Sequence, residues 1–119
     1  MARLTPGPNP PTKAQAEEFD MLSKLLDALS IETKEFSKKK PDEALNKLKI
    51  KMANRVLSKV KELLKNEATS EFLDTLDEDS IPTNSDAVLI ITQFQAAMKQ
   101  FHSSYHGWDG NEHRWHTKD

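Results

Sequence analysis

Cysteine does not occur anywhere in this chain of 119 residues. Disulfides and thiolate metal sites are thereby excluded, and the composition suits a reducing compartment. Glycine is nearly as scarce. Gly7, Gly107 and Gly110 are the three present, too few and too scattered for a glycine-rich phosphate loop. Long apolar runs are missing too. The longest, Ala87 to Ile91, falls far short of the roughly 20 residues that cross a bilayer. The opening MARLTPGPNPP has no apolar segment of the kind a secretory leader carries. The expectation is a soluble, cytoplasmic protein that does not enter a membrane. Apolar residues are themselves in short supply, at 36% against 30% charged; a globular chain averages roughly 45–50% with glycine counted. The core of one domain of this length is therefore thin. Either the helices are long and half wet, or a second copy or a partner completes the burial. A net charge of −2 points by itself neither to nucleic acid nor to a membrane surface.

What the chain does have is helix-forming sequence. The run Asp42 to Asn66, DEALNKLKIKMANRVLSKVKELLKN, contains neither glycine nor proline and consists mostly of good helix formers. Leu45, Leu48, Met52, Val56, Val60 and Leu63 fall three and four apart on one stripe. Ile50, Ala53, Leu57 and Leu64 widen it to nearly half the circumference. Lys47, Lys51, Asn54, Arg55, Ser58, Lys61 and Lys65 take the opposite side. A helix with so wide an apolar face needs two or more neighbours, which makes it the central post of a small helical protein.

The remaining segments supply those neighbours. Residues 1–11 carry four prolines and Gly7 and read as an extended or disordered arm. Thr12 offers an N-cap, with Gln15 completing a capping box. A helix follows from about Lys13 to Ser37, with Phe19, Leu22, Leu26, Leu29, Thr33 and Phe36 on a heptad seam and Leu25 adding width. Lys40–Pro41 breaks it, because the residue before proline avoids the α region. Pro41, Asp42 and Glu43 suit the first turn of the next helix, and the short connection makes the two helices antiparallel. Thr69 or Ser70 can cap a short helix through Leu76, with Phe72, Leu73 and Leu76 inward. Thr83 to Asp86 starts another long helix. Its stripe is Ala87, Ile91, Phe94, Met98, Phe101 and Tyr105, and it runs to about His106 with Gly107 as its stop. The tail from Trp108 to Asp119 has no helical period, and Asp109–Gly110 signals a turn. The fold class is all-α: three long helices plus one short one in a bundle over residues 12–107, flanked by a proline-rich arm and a His/Trp-rich tail (residues 108–119).

Three features bear on function. Charge is segregated: Lys38 to Lys65 holds ten bases against three acids, a balance of +7, whereas Glu67 to Asp86 holds seven acids and no base. Lys47, Lys51, Arg55, Lys61 and Lys65 could meet nucleic acid phosphates. The plainer reading, and the favoured one, is a solvated face offset by the acidic segment folded nearby. No helix-turn-helix, zinc-finger or stacking motif accompanies the cations. Second, all four histidines lie near the C-terminus: His102, His106, His113 and His116. His102 and His106, four apart, could share one helix face and a metal ion, with His113 or His116 as a third ligand. The plainer reading is a polar tail. Third, Trp108 and Trp115 bracket a turn and, with Tyr105, could anchor a protein partner. Equally, they could fold back over the end of the bundle.

Catalytic signatures are missing. The chain has no His-Glu-x-x-His and no Glu-x-x-His pattern, and Glu17, Glu18 and Asp20 read as helix-start charges. The sequence thus points to a small non-enzymatic interaction module (an adaptor, regulator or accessory subunit) that binds protein and needs no cofactor. Nucleic-acid association through the basic face is the first alternative, and a His-ligated metal protein the second. The heptad seam and the thin core favour a homodimer.

Overall fold

A computed structural model describes residues 2–119. The chain is mostly helical, with three helices: α1 (Lys13–Lys39), α2 (Lys47–Leu63) and α3 (Asn84–Tyr105). A small antiparallel hairpin follows, β1 (His106–Trp108) with β2 (His113–Trp115). No helix among the described residues is long and apolar enough to cross a membrane.

α1 starts where the sequence places it. The Thr12 hydroxyl accepts the Gln15 N–H at 3.1 Å and the Gln15 side chain accepts the Thr12 N–H at 2.9 Å, the reciprocal box that satisfies two orphan donors. The helix ends one residue before Lys40, ahead of Pro41. Phe19, Leu22, Leu26 and Thr33 of the heptad seam are buried. They face α2 and α3 of the same chain, so this seam closes internally. α1 runs antiparallel to both neighbours. Phe36, near its end, lies under Lys49 at the start of α2, and Phe19, near its start, stacks on Phe101 near the end of α3.

α2 departs from expectation at its start. It begins at Lys47 with Asn46 as N-cap, whose side chain accepts the Lys49 N–H at 2.8 Å. Residues 41–45 are not its first turn, because their backbone bonds go elsewhere. The Leu45 N–H donates to Pro82 at 2.9 Å, Asn84 donates to Glu43 at 3.0 Å and Ser85 to Pro41 at 3.1 Å. The segment is thus spliced onto the start of α3. The face of α2 differs as well. Its buried line is Ile50, Ala53, Leu57, Val60 and Leu64, whereas Leu48 is 66% and Met52 57% exposed and Val56 is half-buried. The helix is turned by a little over one residue, at ~100° per residue, from the stripe that Leu48, Met52 and Val56 define.

α2 and α3 run parallel, so residues 64–83 must return along the whole of α2. Seventeen helical residues span about 25 Å, and a seven-residue α-helix would cover only about 10 Å of the return. The expected short helix through Leu76 is accordingly absent. Two 3₁₀ turns, Ala68–Phe72 and Glu78–Ser80, stand in an otherwise open strand of chain. Leu73 and Leu76 are buried, but Phe72 is turned out to solvent. Asn54 clamps this return: its amide N–H donates to the Leu76 carbonyl at 2.8 Å and its oxygen accepts the Leu76 N–H at 2.9 Å.

α3 follows the sequence closely. Thr83 caps it in a box with Asp86, and all six stripe residues from Ala87 to Tyr105 are buried. Its end differs by one residue and in kind. His106 is already extended, at φ −129°, and opens β1. Gly107 is therefore a strand residue rather than a helix stop, and the small sheet is an addition to the all-α expectation.

Candidate interaction surface

The turn of α2 and the breadth of α1 leave apolar side chains between the two helices uncovered. Met21 (53% exposed) and Leu25 (47%) on α1 lie across a shallow groove from Met52 and Val56 on α2. The same Met52 also lines, with Leu29, Phe36 and Leu45, a cavity of about 90 Å³. Leu48 stands one helical turn before Met52, on the same face. The result is one apolar strip running from Met21 to Phe36 along the α1–α2 seam. The Lys49 ammonium sits 3.8 Å over the Phe36 ring and covers part of its far end.

Charge of opposite sign flanks this strip. Glu18 and Glu32 come from α1, and Lys51, Arg55 and Lys59 from α2. None of these five has an ion-pair partner within 4 Å among the described residues. Of the cations that the sequence puts on one face, Lys47 pairs with Glu78 at 3.7 Å and Lys65 with Glu62 at 3.0 Å. Lys51, Arg55 and Lys61 stand free of ion pairs among the described residues and exposed. The acidic return segment thus offsets one member of this face, Lys47.

The C-terminal aromatics sit at the other end of the molecule and turn inward. Tyr105 is fully buried and cannot meet a partner at the surface. Its hydroxyl accepts the Asn9 N–H at 3.0 Å and lies 3.5 Å from the Glu67 carboxylate. Burial raises the Glu67 pKa above its ordinary value, against the hydrogen bond from Tyr105. The N-terminal arm is laid down on this end: the Leu4 N–H donates to Trp108 at 2.8 Å and the Gly7 N–H to Ser104 at 3.2 Å. A side chain at Gly7 would come within 2.7 Å of the Tyr105 hydroxyl, so the close approach requires glycine. The chain's far end joins in, with Lys118 N–H donating to Pro11 at 2.9 Å.

In the hairpin, Asp109 holds the turn by accepting the Asn111 and Glu112 N–H groups at 2.7 and 2.9 Å. Those bonds lower its pKa. Gly110 takes the positive φ (107°) of that turn. The reversal returns Trp115 to the bundle, where its ring meets Phe19 at 4.9 Å, His102 at 5.2 Å and His106 at 5.3 Å. Trp108 stays half-exposed beside His113, at 5.5 Å.

His102 and His106 do come together, stacked at 4.4 Å. Burial and the neighbouring His106 hold His102 below the ordinary histidine value, against the pull of Asp20. No third donor joins them: among the described residues no three His, Asp or Glu side chains are placed to share a metal ion. His113 faces Trp108 instead, and the His116 N–H donates to the Tyr105 carbonyl.

Compared with known proteins, the chain matches no family model, no curated protein and no solved structure.

The sequence reading singled out neither Met21, Leu25, Leu48 and Met52 as a surface nor Glu18, Glu32 and Lys59 as its rims. The signal that could have found them is the breadth of the apolar arcs, wider on both helices than two neighbours can cover.

Proposed function

We propose that this chain is a small non-enzymatic interaction module, a cytoplasmic adaptor, regulator or accessory subunit, and that its binding surface is the α1–α2 strip. One observation carries the reading: Met21, Leu25 and Met52 line one open groove and Leu48 stands a helical turn from Met52, all four of them exposed. Contiguous patches of this kind, rimmed by polar groups, mark interaction sites. The cavity beneath Phe36 has room for one apolar side chain of a partner, the geometry of an interface anchor. Methionine at two of the four positions lends the strip adaptability. The test is capture from cell extract by the intact chain, with Met52→Glu and Leu25→Glu as surface variants and Trp108→Ala as the control. Retained proteins should be lost from both strip variants and kept by the control. Retention unchanged in the strip variants refutes the reading.

The exposed and unpaired Lys51, Arg55 and Lys61 support a second reading, sequence-independent contact with nucleic acid phosphates. Reversing the three charges together should weaken such binding on every sequence alike, and no binding at low salt removes this reading.

A further inference from the structure

We infer that the polypeptide covering the α1–α2 strip is a second copy of this chain, packed face to face with its two-fold axis parallel to α1 and α2. The inference rests on the preceding reading of the strip as a binding surface and names its occupant.

The charge layout motivates it. The unpaired charges of the strip are asymmetric across its width, acids along α1 (Glu18, Glu32) and bases along α2 (Lys51, Arg55, Lys59), all without ion-pair partners among the described residues; Glu62 and Glu78, which line the same groove, are already paired with Lys65 and Lys47. A two-fold contact is isologous, so the strip must be complementary to itself. Two axes lying in the contact plane are available. An axis across the strip sets α1 on α1 and α2 on α2, acid against acid and base against base. An axis along the strip sets α1 of each copy on α2 of the other and keeps every residue at its own height. Because α1 and α2 are antiparallel, each acid then meets the base that already faces it across its own groove. Glu18 comes opposite the partner copy's Lys59 turn, and Glu32 opposite its Lys51 turn. Both unpaired acids of one copy are thus answered by bases of the other, twice over, with Arg55 left in excess.

The size is sufficient. From Glu18 to Phe36 the strip is about 28 Å long at ~1.5 Å per residue, and two helices side by side are about 20 Å wide. That gives about 550 Å² for each copy before side chains interdigitate, or about 1,100 Å² in all, just above the ~1,000 Å² expected of a specific interface. The contact also supplies the burial that a chain with 36% apolar residues lacks on its own.

Charge exchange provides the test, read by sedimentation velocity on the full chain. One variant carries Glu18→Lys and Glu32→Lys, the other Lys51→Glu and Lys59→Glu. All four sites lie outside the buried core, so both variants keep the helical circular dichroism of the parent. The parent should form a dimer that strengthens as salt is lowered. Each variant alone should dissociate about tenfold or more readily. An equimolar mixture should recover a dimer containing one chain of each kind, because every acid then meets a base again. Met52→Glu should abolish all of these dimers. A parent that stays monomeric at high micromolar concentration overturns the inference, as does a mixture that recovers nothing. If the parent is monomeric while Met52→Glu still loses its captured proteins, self-pairing alone is refuted. If Met52→Glu changes neither property, the strip itself is refuted.

Discussion

Leu57 and Leu48 lie on the same helix, nine residues apart, and both belong to the apolar side that the sequence defines. Their environments differ sharply: Leu57 is 0% exposed at the centre of the core, whereas Leu48 is 66% exposed. Leu57→Ala removes three buried carbons and leaves a cavity flanked by Ala53 and Val60. Buried Leu→Ala changes cost about 2–5 kcal/mol, and a site enclosed by helices on two sides belongs near the middle, about 3–4 kcal/mol. At ~2.1 cal/mol/K per residue, a chain of 119 residues unfolds with an entropy of about 0.25 kcal/mol/K, so this loss lowers the melting temperature by about 12–16 °C. Leu48→Ala gives up little buried area and gains slightly in helix propensity, for a net change of about 0.5 kcal/mol, or about 2 °C. Thermal unfolding followed by far-ultraviolet circular dichroism at low protein concentration, where self-association contributes least, measures both. Equal losses, or a larger one for Leu48, would mean that α2 presents its other edge to the core, and the exposed strip would vanish with it.

Asn54→Ala should cost about 1–3 kcal/mol by leaving the Leu76 N–H and carbonyl without partners, and amide exchange at Leu76 should quicken more than exchange in α3. No change in exchange there would detach Asn54 from the return segment. His102 is held below its ordinary value of 6.5, so below that pH the unfolded chain binds more protons than the folded one. Stability should be full above about pH 6.5 and fall as the pH drops through the folded-state value; His102→Gln should flatten that decline, and a parallel decline in the variant would assign it to other groups. With Trp108→Phe in place, the fluorescence of Trp115 should be blue-shifted and protected from quenchers, and cutting the chain after Gly107 should lower the melting temperature; a red-shifted, freely quenched signal would contradict the packing against Phe19 and Phe101.

How legible each segment was depends on how many ways its apolar residues can be satisfied. α3 has a narrow stripe, a capping box and few apolar residues off the stripe, so only one face can be inside, and all six stripe positions are buried. α1 is similar over Phe19, Leu22 and Leu26, and its Thr12–Gln15 box marks its start. Residues 42–46 look as helical as those after them. Their fate is set by hydrogen bonds to residues 82–85, some forty positions away, which no local pattern encodes. The return segment is likewise shaped by a distance it must span, not by its own propensity, and its clamp at Asn54 is a polar residue that periodicity assigns to solvent. In the tail, Asp109–Gly110 announced the reversal. The paired strands are three residues each, too short for alternation to show. The His pair was legible from its spacing of four; that no third donor reaches it was not, because the hairpin turns His113 towards Trp108.

The misplaced face of α2 and the candidate surface have one cause. Ten apolar residues spread over nearly half a helix turn cannot all be buried by two neighbours. Once Ile50, Ala53, Leu57 and Val60 are inside, Leu48 and Met52 must be outside. On α1 the same surplus puts Met21 and Leu25 outside. α1 and α2 lie side by side and antiparallel, so these four fall together on one seam, while Ile31, Phe72, Ile81 and Leu89 are exposed singly elsewhere. A lone exposed leucine calls for no explanation, but this coincidence does. Leu48, Met52 and Met21 leave more than half of their surface to solvent, and such exposure costs solubility. Their exposure beside charges of both signs that have no ion-pair partner among the described residues is the coincidence on which the association proposed for this seam rests.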